Sequence, residues 1–233
     1  MRLAIMQPYL FPYIGYFQLI NAVDEFIFHD DVQFIKGGWI NRNRILQNGK
    51  DIFITLGIKN DSAYKNINER VFSDEFEKDK KKLLRIIENS YHKAPNVKLV
   101  LPLLDDIFSN NDTNVSSFII ESIKKINHYI EISTPIKISS CIDKNNSTKG
   151  EERVIELCKA CKVTEYINPI GGITLYLKEH FENVNIKLKF LQTNNIEYKQ
   201  FSNQFIPYLS IIDVLMFNEV AVIKEYLTQF TYK

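Results

Sequence analysis

The feature that most constrains this chain is its opening, where an apolar run, Leu3-Ala4-Ile5-Met6, passes through Gln7-Pro8-Tyr9-Leu10-Phe11-Pro12 into Tyr13-Ile14-Gly15-Tyr16-Phe17-Gln18-Leu19-Ile20. The run reads as a buried strand and the proline-bracketed segment as a tight loop. Tyr13, Phe17 and Ile20 recur at helical spacing. Pro12 fits the first helical turn, where its missing N–H is no loss, and Gly15 opens the backbone to close approach. A helix starting directly after a buried strand points free N–H groups and its positive dipole end at the strand's carboxyl end, where phosphate or carboxylate binds. Open α/β sheets place ligands at that rim. Gln7, Pro8 and Gly15 are therefore candidate ligand contacts, and the phenols of Tyr13 and Tyr16 candidate donors to an anion or oxyanion.

A second strand, Glu25-Phe26-Ile27-Phe28, ends in His29-Asp30-Asp31. If it lies parallel to the first, Gln7 and this polar triplet meet at one rim. His29 or Asp31 would then serve as general base for a substrate amine, with Asp30 a further contact. The alternative is a half-buried structural histidine and two carboxylates that cap the strand.

Beyond Asp31, Asn48-Gly49 separates two strand-like runs and predicts a hairpin. Alternation puts Arg42 and Arg44 on one face and Asn41 and Asn43 on the other. Lys36, Arg42 and Arg44 could hold a diphosphate, guanidinium being suited to bidentate contact, and Trp39 could stack on a base or sugar. Solvated charges on an exposed ribbon, with Trp39 anchoring it, are the competing reading.

Residues 59–68 read as a polar loop. Helices are expected after Ser73-Asp74, over 97–108 and over 115–130, forming a helical insertion at about 74–130. Short strands follow near Pro135 and at Glu165, with a helix from Glu151 to Cys161 between them. Asn168-Pro169-Ile170-Gly171-Gly172 is a second strand-to-helix junction, where Asn168 and the amides of Gly171 and Gly172 could cradle an anion; a plain turn is the alternative. A helix near Leu175–Phe181, a strand over 186–191, another near Tyr198 and a helical tail from Ser210 complete the chain. Strands alternating with helices predict an α/β fold with a mostly parallel sheet, a β-hairpin and the helical insertion, in a single domain spanning 1–233.

A net charge of +1 with interspersed signs argues against nucleic acid as a partner. No stretch has the apolar length of a membrane span and no leader precedes the first strand, so a cytoplasmic location is expected. Cys141, Cys158 and Cys161 fit a reducing compartment better than a disulfide framework. Cys158 and Cys161 sit inside an amphipathic helix with only Cys141 to join them, too few ligands for a closed zinc site, and His92, His128 and His180 lie in helical stretches without metal spacing. No metal site is expected.

The blocks Gln7-Pro8-Tyr9, Phe11-Pro12-Tyr13-Ile14-Gly15-Tyr16, Asp30-Asp31-Val32-Gln33-Phe34, Trp39-Ile40-Asn41-Arg42-Asn43-Arg44, Tyr166-Ile167-Asn168-Pro169-Ile170-Gly171-Gly172 and Leu209-Ser210-Ile211-Ile212-Asp213 resemble the WbqC-like family along nearly the whole chain. The resemblance implies a role in bacterial surface-polysaccharide assembly, with a glycine transferase activity suggested for one member. More distantly, Phe11 to Tyr16 is similar to the nucleotidylyltransferase signature, in which two histidines flank an Ile-Gly pair. Both histidine positions are tyrosine here, and a phenol cannot become a cation, so the likeness implies the fold more than the reaction.

The function so implied is an acyl or aminoacyl (glycine) transferase acting on the amino group of a nucleotide-linked amino sugar for O-antigen. The donor would be an acyl-carrier-protein thioester, or ATP and magnesium with a free amino acid. The alternatives are an ATP-dependent adenylylating enzyme, either nucleotidyltransferase or amide ligase, and a non-catalytic nucleotide-sugar binding module.

Overall fold

Leu3, Ala4 and Ile5 are all buried, as a strand covered on both faces requires, and they form the centre of β1 (Arg2–Met6). The computed structural model describes residues 1–201 and 204–233. After β1 come α1 (Ile14–Asn21), β2 (Glu25–Phe28) and a hairpin of β3 (Arg42–Gln47) and β4 (Lys50–Thr55). Three helices follow, α2 (Phe76–Tyr91), α3 (Val97–Phe108) and α4 (Val115–Tyr129), then β5 (Ile136–Ile138), α5 (Gly150–Ala160) and β6 (Glu165–Pro169). The chain closes with α6 (Lys178–Glu182), β7 (Lys187–Thr193), α7 (Ile211–Phe217), α8 (Val220–Tyr226) and β8 (Phe230–Tyr232).

The main sheet runs β5-β2-β1-β6-β7-β8, parallel throughout except for β8, which pairs antiparallel with β7. The chain starts in the middle of this sheet, winds out to β5, and returns to lay β6 against the other side of β1. The β1/β6 boundary is therefore the switch point, outside whose carboxyl ends doubly wound sheets bind ligands. Alternate residues of β1 serve two cores: Leu3 and Ile5 pack with Val154, Leu157 and Phe181 of α5 and α6, whereas Ala4 belongs to the larger cluster with Phe17 and Ile20 of α1 and Phe118 of α4. The α/β fold with a mostly parallel sheet, a separate hairpin and helices between β4 and β5 is as the sequence predicts. Asn48 and Gly49, with φ of 50° and 74°, make the hairpin turn.

Several boundaries differ from expectation. α1 begins at Ile14, leaving Pro12 in the loop, where its carbonyl accepts from Ile211 N at 2.9 Å. Within α2, Lys80 is buried on the inner stripe, and its ammonium reaches Asn110 O at 2.8 Å, Asn111 Oδ1 at 3.0 Å and Glu77 at 2.7 Å. The helical tail is broken at Asn218, whose side chain donates back to Val214 O, and it ends in β8. Tyr198 to Phe201 forms no strand; its side chains are recruited by Asp213 instead.

Candidate functional site

The loop from Gln7 to Tyr13 is held in a conformation it would not choose. Phe11 has a φ of 43°, in the left-handed region that disfavours a bulky side chain. Two separate segments, residues 40–43 and Ser210, fix it there. Asn43 Nδ2 donates to Leu10 O and Phe11 O at 2.9 and 2.8 Å, Ser210 Oγ donates to Phe11 O at 2.8 Å, and Leu10 N donates to Ile40 O at 3.1 Å. Strain over-determined by its surroundings is characteristic of functional loops.

Against this loop lies a cleft of about 240 Å³. Tyr9, Pro12 and Tyr13 line it from the loop, Trp39 and Arg44 from the ribbon, and Tyr208 from the segment before α7. Trp39 is 41% exposed and Tyr208 68% exposed, so two large rings stand open to solvent. Tyr208 meets Tyr13 edge-on at 6.2 Å and has a φ of 58°. The Arg44 guanidinium stacks 5.8 Å from the Trp39 ring and donates to Asp51 at 3.0 Å. Its buried Nε has no hydrogen-bond partner among the described residues. Gly15 has a steric reason: a Cβ there would overlap the Tyr13 ring and Thr193 Oγ1, so glycine lets the ring lie across the start of α1. Burial raises the Tyr13 phenol pKa, opposed by a hydrogen bond with Thr193, so the group is a neutral donor.

On the opposite face of the sheet, at the same rim, a second constellation forms. His29 follows β2 directly and its N–H donates to Met6 O at 2.8 Å, which sets it beside Gln7. Burial depresses the imidazole pKa to about 4; Asp31 opposes this, and Arg153 and Lys144 add to it. The ring is thus neutral at pH 7, and its buried Nε2, 3.7 Å from Asp31, has no partner among the described residues. Asp31, by contrast, is committed. Its carboxylate accepts from Ser139 Oγ and Lys144 Nζ, each at 2.7 Å, and Arg153 Nη1 donates to its carbonyl at 2.8 Å. Burial pushes the Asp31 pKa up, but the bonds from Lys144 and Ser139 outweigh it and hold the pKa below the ordinary value. Asp30 accepts from Ser140 N and Oγ at 2.9 and 2.6 Å.

The remaining candidates divide between open and structural positions. Gln7 is half-buried at the end of β1, and Pro8 is buried behind it. Tyr16 is buried and its hydroxyl donates to Gln7 O at 2.8 Å, so it secures the strand end instead of facing the rim. Arg42 spends its guanidinium on the carbonyls of Gly37 and Gly38 and lies over Phe53, which separates it from Arg44 in role. Asn41 donates to Leu56 O at 2.8 Å, and Lys36 is exposed on the connecting loop. Gly171 and Gly172 form one 3-10 turn with Ile170; Asn168 is buried against Gly172, and Gly171 is exposed. Trp39, Arg44 and Tyr13 are brought together; the carboxylates and Arg42 are not brought to them. Among the described residues no three His, Cys, Asp or Glu side chains gather as a metal would require.

Sequence reading missed Tyr208, Lys144, Arg153 and Asp213. Lys144 and Arg153 look like solvated charges until the fold folds them onto Asp31. Asp213 is a buried hub that accepts from Tyr91 at 2.8 Å, Tyr198 at 2.6 Å and Gln200 at 2.7 Å.

These features define a doubly wound α/β protein with an aromatic, arginine-bearing cleft at the carboxyl rim of its sheet. Comparison with known sequences makes the assignment particular: the chain belongs to the WbqC-like protein family, whose family model matches residues 7–225. It is similar to the uncharacterized protein Rv1507c of Mycobacterium tuberculosis (strain ATCC 25618 / H37Rv), at 29% identity over 228 residues, 97% of each chain. No solved structure matches it. Among the described residues no helix is long and apolar enough to cross a membrane.

Proposed function

We propose that the protein is an acyl or aminoacyl transferase that attaches a glycine-like group to the amino group of a nucleotide-linked amino sugar in bacterial O-antigen or other surface-polysaccharide biosynthesis, in the cytoplasm. The observation that carries the reading is the Arg44 guanidinium set among the rings of Trp39, Tyr13 and Tyr208 in one open cleft. Trp39 and Tyr208 offer faces to a base or sugar ring, and the guanidinium offers a charge-assisted donor to phosphate. At about 240 Å³ the cleft is below the roughly 300–1,000 Å³ of a full ligand pocket. It takes one ring of the substrate and leaves the rest to run along the rim past Gln7.

In this reading His29, neutral at pH 7, is the base, with the Asp31 carboxylate 3.7 Å from its Nε2. The amine nitrogen forms a bond to the acyl carbon, the carbon–sulfur bond of a carrier-protein thioester breaks, and the amine proton passes through His29 to the departing thiolate. With ATP, magnesium and a free amino acid as the donor system, the amino acid carboxylate would first displace pyrophosphate from ATP, and AMP would then leave from the acyl adenylate as the amine attacks. The amides of Gly171 and Gly172 would stabilise the oxyanion. Incubation with a panel of nucleotide-linked amino sugars and both donor systems, read by intact product mass, tests the reading. An acylated sugar is expected. Binding without product under every donor would replace the transferase by a non-catalytic binding module.

A further inference from the structure

A second concavity, of about 220 Å³, opens where β2 and β5 end and α4 begins. Its walls carry two carboxylates, Asp30 and Glu121, and no lysine or arginine. The rest of its polar lining is hydroxyl and amide: Asn68 and Asn114 on one side, Ser116 and Ser117 on the first turn of α4, and Ser140 beside Asp30. Two of these groups are unsatisfied. Ser116 is 3% exposed and its Oγ has no hydrogen-bond partner among the described residues, and neither has the buried Asn68 Oδ1. Buried polar atoms are nearly always paired, so an orphaned hydroxyl and an orphaned side-chain carbonyl lining one acidic hollow mark bonding capacity that an occupant can use.

The chemistry of that ligand follows from what is already spent. Asp30 accepts two bonds from Ser140, Asn114 Oδ1 accepts from Ser117 N, and Glu121 accepts from Lys124 at the edge at 2.6 Å. Carboxylate lone pairs, the Asn68 carbonyl and the Ser116 hydroxyl remain, a set rich in acceptors and negative in charge. A phosphate or carboxylate would be repelled. A divalent cation would need about six oxygens around it, whereas the Asp30 oxygens already face hydrogen-bond donors. We propose that this hollow binds the protonated primary amine of a small hydroxylated molecule, its N–H groups directed at Glu121, Asn68 and Asp30 and a hydroxyl at Ser116. Amino sugars and amino alcohols share that chemistry. The inference stands apart from the transferase reading and does not need it.

Cys141 lines the hollow and is exposed, which supplies a reporter in the intact chain. Alkylation of Cys141 by iodoacetamide, resolved by peptide mass, is followed with increasing glucosamine, ethanolamine or N-acetylglucosamine. Saturable protection by at least one amine, with none by N-acetylglucosamine, is expected; the protecting arm identifies a sugar or a non-sugar source. Glu121→Gln should weaken protection about tenfold, the loss of a charged acceptor. Ser116→Ala should weaken it about threefold while leaving thermal stability unchanged or raised, because no protein hydrogen bond is lost. Equal protection by the acetylated sugar, protection by magnesium in place of amines, no protection by any amine, or unchanged protection in both variants would overturn the proposal. Trp39→Ala removes a ring of the other cleft and should leave this protection intact, so the two readings fail separately.

Discussion

Replacing Asp213 by asparagine tests how the rim is held, because this residue ties three distant segments into one knot. Its Oδ1 accepts from Tyr91 of α2, and its Oδ2 accepts from Tyr198 and Gln200. Tyr91 cannot simply turn away, since its oxygen already accepts from Leu46 N at 2.9 Å and its own proton must go to Asp213. Asparagine keeps the size but exchanges one acceptor oxygen for a donor nitrogen. If its oxygen serves Tyr198 and Gln200, the buried Tyr91 proton is stranded, at a cost of about 1–3 kcal/mol. Asp213→Ala strands more and leaves a void, so about 3–5 kcal/mol is expected. Urea denaturation measures both as a lower midpoint with unchanged slope. The pH dependence has a defined sign: burial holds the Asp213 pKa above the ordinary carboxylate value against the hydrogen bonds from Tyr198, Tyr91 and Gln200. The stability tied to its proton is therefore full below the unfolded carboxylate pKa of about 3.9 and lost as pH rises through the folded value. The asparagine deficit should narrow in that direction. An asparagine variant within about 0.5 kcal/mol of the parent, a surface-like effect, would refute this account of the knot.

His29 makes an opposite acid-side prediction. With its folded pKa near 4 against about 6.5 unfolded, the unfolded chain takes up the proton first, so stability falls as pH drops through that window by up to about 3 kcal/mol; His29→Gln should flatten this limb in denaturation curves. Gly15→Ala should displace the Tyr13 ring and weaken nucleotide-sugar affinity more than about tenfold, measured by calorimetry, whereas unchanged affinity would remove the ring from the site. Arg44→Ala should reduce both that affinity and its salt dependence, but Arg42→Ala, whose partners are backbone carbonyls, should lower stability and leave the salt dependence alone.

Patterns of local period were readable without coordinates. The strand at Leu3–Met6, the Asn48-Gly49 turn and the helix over Val97–Phe108 each follow from apolar spacing or turn chemistry acting over a few residues. The parallel pairing that sets Gln7 beside His29 followed from strand alternation with helices. What could not be read was which polar group meets which across long separations. Arg42 and Arg44 share a face, yet one is consumed by the Gly37–Gly38 loop and the other opens onto a cleft. Asp31 looked like a base because the lysine and arginine that occupy it lie more than a hundred residues away. Tyr208 carries no periodic signal; its place in the cleft comes from Ser210 N bonding to Arg44 O at 2.9 Å, a contact only the fold creates.

Trp39 is the only tryptophan in the chain and stands in the wall of the cleft, so its fluorescence reports that site alone. Titrating the protein with uridine- and thymidine-diphosphate-linked amino sugars should change the emission saturably with at least one of them. The same titration of Arg44→Ala and Tyr208→Ala should require several-fold more ligand. Emission indifferent to every such compound, in protein whose circular dichroism confirms the fold, would contradict the assignment of this cleft to a nucleotide-linked sugar.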